Sequence, residues 1–311
     1  MLALLLAAST VALPGAQPPV FMDYLATDGA TVWVPGANTG KVFVLEAGRF
    51  RTVEGFATRK GRNDRLLGPT SVGIGRGFAY IGNRGDSTIC AVEARSLEKK
   101  GCAEVPGMPD GTFFVAPTAE VWVTTPREKS IRILDVKDAA APRAVGKIDL
   151  DGEPEGYAID PGRGLVFTNL EDKDRTLVID ARERKVVATF DPGCGQAGPR
   201  GIAVDPKRGL LLVACTDGVV ALDAHSGARK SRLDTGAGVD NIDYLAERKR
   251  VYAAAGREAR LTVAEVGDDG SFRKVSQQAV GKGCRVVVAT PDGTAYVADG
   301  GAGRLWVIPR P

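Results

Sequence analysis

The chain has 311 residues, among them 39 Gly and 18 Pro, with 44% apolar residues and a formal net charge of +3. That length allows one large domain or two ordinary ones, and glycine and proline in such numbers suit many short strands joined by tight turns. The small positive charge forms no basic stripe and no apolar run reaches the roughly 18 residues of a membrane span, so neither nucleic acid nor a transmembrane segment is expected.

Residues 1–8, MLALLLAA, read as the end of a signal-peptide apolar region that lacks its basic lead. The expectation is export, to the periplasm or out of the cell, with residues 1–8 as a leader remnant and residues 9–311 as a single domain. The alternative is a buried N-terminal strand. Residues 9–15, STVALPG, resemble the outer strands found later in the chain.

From there a two-strand signature recurs, centred on Trp33, Tyr80, Trp122, Phe167, Leu212, Tyr252 and Tyr296, at spacings of 40 to 47 residues. After each of the first six centres a second apolar strand closes on an acidic residue: LEA at 45–47, VEA at 92–94, LDV at 134–136, IDA at 179–181, LDA at 222–224 and AEV at 264–266. The stretch from Gly198 to Ala224 shows the logic most plainly. Apolar strands alternate with Pro-Lys-Arg-Gly and Thr-Asp-Gly turns, and one such unit cannot bury a core alone. A period of 40 to 45 residues carrying four short strands predicts an all-β, seven-bladed β-propeller. The seventh copy ends without an outer strand, so residues 9–15 are expected to complete it and close the ring.

With the copies aligned, the whole chain resembles the YVTN-type β-propeller family of bacterial exported or surface proteins. The resemblance rests on VWVTT at 121–125 with SIRILD at 130–135, VFTNLEDKDRTLVID at 166–180, PRGIAVDP at 199–206 and DYLA at 23–26. It implies a seven-bladed ring with a binding face and no particular reaction.

Five cysteines occur. Cys90 with Cys102, and Cys194 with Cys215, are placed for disulfides in an exported protein, leaving Cys284 over; five reduced thiols in a cytosolic protein are the alternative. The absence of any Cys-x-x-Cys pair gives no support to zinc or c-type haem.

In a propeller, the loops that lead into the inner strands and those between the second and third strands share one face. Met22, Pro69, Gly111, Glu155, Arg200, Asp240 and Arg285 precede the seven inner strands and should ring the channel mouth, with Asp23, Asp110 and Asn241 beside them. Glu155, Arg200, Asp240 and Arg285 alternate in sign. They read either as a self-neutralising ring or as a site for a small polar ligand. Oxygens of Glu155, Asp240 and Asn241 also suit Ca²⁺ or Mg²⁺ as a cofactor. Pro154-Glu-Gly156 is similar to the turn before metal-bearing strands in gluconolactonase-like propellers, which implies a metal-dependent lactonase as the alternative function. The 169–174 segment, NLEDKD, lacks the Gly and terminal Glu of a Ca²⁺ loop and reads as a solvated turn. The one histidine, His225, falls in a turn on the opposite face, which disfavours Ser-His-Asp or Cys-His hydrolysis and multi-histidine metal sites. No nucleophile elbow, P-loop or dinucleotide fingerprint occurs. The expectation is a monomeric binding or scaffold module, with a small polar ligand or a protein as its partner.

Overall fold

The computed structural model describes residues 7–311. Seven four-stranded antiparallel sheets succeed one another along the chain, and they are the blades of a seven-bladed propeller. Blade four is typical: its strands run Pro154–Asp160, Leu165–Leu170, Arg175–Asp180 and Lys185–Phe190 from the channel outward. Helical backbone among the described residues is limited to single 3₁₀ turns, and no helix is long and apolar enough to cross a membrane.

The ring closes as the repeat pattern predicts. Ser9–Ala12 pairs antiparallel with Arg304–Ile308, Ser9 opposite Val307 and Ala12 opposite Arg304, so the two ends of the chain share blade seven. The leader reading falls largely on residues 1–6, which lie outside the described residues.

Burial explains why the second strands are apolar on both faces. Leu210–Cys215 of blade five is buried at every position. Its side chains alternate, Leu210, Leu212 and Ala214 packing against blade six and Leu211, Val213 and Cys215 against blade four. With both faces covered, a continuous apolar run replaces the usual alternation. Each fully buried leucine contributes about 1.5–3 kcal/mol, so the energy that holds the ring lies between blades.

Both expected disulfides form. Cys90 and Cys102 sit opposite one another in neighbouring strands of blade two. Cys194–Cys215 ties the loop entering blade five to that blade's second strand. Cys284 is a buried free thiol, and burial pushes it up to about 12, which makes it a poor nucleophile.

One backbone irregularity recurs where it matters. The inner strands of blades two, four, five and six slip register near their starts: between Pro69 and Ser71, Glu155 and Tyr157, Pro199 and Ile202, and Val239 and Ile242. A bulge turns a side chain away from the ordinary strand alternation. In blade four the extra residue is Gly156, at φ +70° and with its Cβ position 2.5 Å from the Arg200 carbonyl oxygen. Only glycine fits there.

Candidate functional site

Those bulges present Glu155, Arg200 and Asp240 at the channel mouth, where they line one cavity of about 280 Å³ together with Asp23, Asp110 and Arg285. All six residues expected at the ligand face are therefore neighbours. Of the other residues placed on the ring, Met22 lines an adjoining cavity beside Arg285, whereas Pro69 is buried in its strand. Gly111 is packed against the Tyr157 ring.

An aromatic stack lies behind the mouth, beside the Glu155 side chain. Tyr24 stacks on Tyr157 at 5.8 Å between ring centroids, and Tyr157 stacks on Phe113 at 4.2 Å. The Tyr157 hydroxyl donates to the Thr112 carbonyl at 3.1 Å. Tyr24 donates to Glu155, and the Gly156 N–H donates to the Tyr24 oxygen at 3.2 Å. Deeper in the channel a second cavity of about 200 Å³ is lined by Tyr24, Tyr157, Asn241 and Asp243. Glu155 faces the mouth and Tyr24 the deeper cavity, so their hydrogen bond is part of the partition between the two.

The charges pair differently from a simple ring. Asp240 pairs with Arg285 of the next blade at 3.2 Å, as alternation suggests. Arg200 instead pairs with Glu171, and Glu155 forms no salt bridge among the described residues. Asp110 and Asp23 share Arg84. The 169–174 segment is consequently more than a solvated turn: Glu171 reaches the mouth, Asp172 accepts the Glu153 N–H, and Asp174 accepts the Cys194 and Gly195 N–H groups.

Burial, with Asp240 and Asp23 nearby, raises the Glu155 carboxyl from 4.5 to about 7, against the opposing pull of Tyr24 and Arg200. Burial likewise raises Asp240, with Arg285 opposing. Tyr24 is pushed well above the normal phenol range by burial and by Glu155. Burial works against the Arg285 charge, but Asp240, Asp23 and Glu155 outweigh it and hold the guanidinium protonated. Burial thus makes Glu155 and Asp240 harder to ionise than ordinary carboxyls, and a protonated carboxyl can donate as well as accept a hydrogen bond.

Sequence reasoning missed Tyr24, Arg84, Glu153 and Glu171 as members of this site. Arg84 and Glu171 follow second strands directly, on the loops that share the mouth face, and that placement was a usable signal. The Tyr24–Glu155 contact had none.

For a cation the donor set is thin. Among the described residues, no group of three or more Asp, Glu, His or Cys is gathered closely enough to hold a metal ion. The Asn241 amide oxygen accepts the Ile242 N–H and faces the deeper cavity, apart from Glu155 and Asp240 at the mouth. His225 is exposed in its turn beside Asp223, on the face the sequence predicts.

No family model and no curated protein matches the chain. Solved structures do. A chain of the mitotic checkpoint complex superposes with a TM-score of 0.78 at 16% identity, covering 97% of this chain and 91% of that one. Hydrazine synthase of Kuenenia stuttgartiensis gives 0.75 at 16% identity, covering 96% and 98%. Virginiamycin B lyase from Staphylococcus aureus gives 0.75 at 11% identity, covering 97% and 99%. The chain is similar to propellers throughout its length. Such low identities show the fold alone, because unrelated activities share it.

Proposed function

We propose that this propeller is a binding module that holds a small polar ligand at the channel mouth, and that it is an exported monomer of the YVTN type. The observation that carries the reading is the convergence of Glu155, Arg200, Asp240 and Arg285, from four successive blades, on one cavity. A concave site with a few convergent polar groups is where small ligands bind. Export is supported by the two disulfides, which persist in oxidising compartments.

The test is a thermal-shift screen of small polar compounds against the full chain, repeated on the Asp240→Ala/Arg285→Ala variant. Stabilisation that vanishes in the variant supports the reading. Stabilisation that survives it puts the ligand elsewhere and overturns the proposal. Capture of a protein partner that persists after all four mouth charges are removed would favour an interaction platform instead.

The metal-assisted lactonase or related hydrolase keeps one supporting observation. Burial raises Glu155, the charges of Asp240 and Asp23 raise it further, and a divalent cation among them would relieve that repulsion. A rise in melting temperature with Ca²⁺ or Mg²⁺ that Glu155→Ala abolishes would carry this alternative. No shift with either ion would remove it.

A further inference from the structure

The mouth cavity adjoins a second one of about 340 Å³, and Arg200, Asp240 and Arg285 form their common wall. The two differ in charge. The first is lined by six carboxyl side chains and four arginines. The second is lined by one carboxylate, Asp240, against Arg200, Arg257, Lys282 and Arg285.

Internal pairing sharpens the contrast. Once Arg84 is shared by Asp110 and Asp23, Arg200 is taken by Glu171 and Arg285 by Asp240, the remaining charges separate in space. Glu153 and Glu155 remain on the blade-four side, opposed only by the exposed Arg127, and one carboxylate of the Asp23–Asp110 pair is left over from Arg84 on the same cavity. Arg257 and Lys282 remain on the side of blades six and seven, both exposed, and neither forms a salt bridge among the described residues.

We propose that the ligand is a zwitterion, its cationic amine beside Glu153 and Glu155 and its carboxylate beside Arg257 and Lys282. The proposal rests on the reading of the mouth as the ligand face and specifies what that face selects. A purely anionic compound would meet surplus carboxylates at one end, and a purely cationic one surplus cations at the other, so opposite charges at the two ends are what both walls accept. An unblocked short peptide such as trialanine carries both charges, one at each end.

Calorimetry on the full chain with trialanine, N-acetyl-trialanine and trialanine amide separates the terms. Trialanine should bind at least about tenfold more tightly than either blocked form. Glu153→Gln/Glu155→Gln should weaken trialanine and the amide but spare the acetylated peptide. Arg257→Gln/Lys282→Gln should weaken trialanine and the acetylated peptide but spare the amide. Equal affinity for all three peptides, or no binding of trialanine, overturns the zwitterion proposal. A blocked form that binds as well as trialanine, yet loses affinity in one variant, overturns it while leaving the mouth as the ligand face. Trialanine binding that neither double variant alters overturns the zwitterion proposal, and the mouth reading falls with it if Asp240→Ala/Arg285→Ala also leaves that binding unchanged. Arg257 and Lys282 are exposed and Glu155 is largely buried, so circular dichroism and melting of each variant check that the fold is kept.

Discussion

Tyr24 and Glu155, 131 residues apart in the chain, meet across the channel mouth, where the phenol donates a hydrogen bond to a carboxyl oxygen of Glu155. The Tyr24 oxygen in turn accepts the Gly156 N–H. Blade one is thereby held to blade four across the channel, and the buried carboxyl that defines the mouth has a single side-chain donor. Tyr24→Phe keeps the ring stack and removes only the hydroxyl. Because the phenol bond lowers the Glu155 carboxyl, its loss should move the titration above about 7, at a stability cost of about 1–3 kcal/mol. Carboxyl ¹³C NMR across pH reads the shift directly; an unmoved titration would refute the contact.

Stability should fall as pH rises from about 5 to 8. Burial raises Glu155 from 4.5 to about 7, with Asp240 and Asp23 adding to it, and burial raises Asp243 from 3.8 to about 6. Both groups bind more protons folded than unfolded over those windows, so their contribution is fullest below the unfolded values and is lost as pH passes the folded ones. The combined loss is on the order of 4 kcal/mol. Carboxylates held low, such as Asp223, whose backbone partners are Ser226 and His225, act at lower pH than this. Melting curves should show a lower midpoint at pH 8 than at pH 5, and Glu155→Gln should recover part of the difference. A flat profile would contradict the assignment.

Gly156→Ala should damage the site at its source. A Cβ there would lie 2.5 Å from the Arg200 carbonyl oxygen, on backbone at φ +70°. Strain of this kind costs about 1–3 kcal/mol, and relieving it requires the Glu155 bulge to flatten. The urea midpoint should drop, and the carboxyl titration near neutrality should move. A variant with both unchanged would show that the bulge does not position Glu155.

Arg84→Ala should be costly although the residue was not singled out by its neighbours in sequence. Asp110 is 4% exposed and pairs with Arg84, which also lies 3.8 Å from Asp23. Removing one member of a buried pair costs about 3–5 kcal/mol; partial solvation of Asp23 puts the expectation at the lower end. Arg84→Ala/Asp110→Asn should recover part of the loss, and a double variant no more stable than the single one would count against the pairing.

Deleting residues 1–12 should open blade seven. Arg304–Ile308 would lose its antiparallel partner, and the half-buried Val11 would leave the core cluster around Leu305. The expected loss is on the order of 2–4 kcal/mol, accompanied by edge-to-edge association visible in size-exclusion chromatography. An unaltered midpoint with a single monomer peak would show that the ring holds without this strand.

The number of blades, their strand order and the closure by residues 9–12 follow from sequence because they rest on short-range physics. A strand such as Leu210–Cys215 declares itself by an apolar run between two turns, and the run repeats. The four mouth residues Glu155, Arg200, Asp240 and Arg285 were legible for the same reason, as each holds an equivalent place in its repeat. Their partners were decided only in three dimensions. Arg200 turns to Glu171 and leaves Glu155 to Tyr24, because radial packing brings loops of different blades within reach while the bulge at Gly156 re-aims a single side chain. Repeat spacing encodes which blade a residue belongs to; which charge it meets depends on side-chain directions and on contacts between residues far apart in the chain.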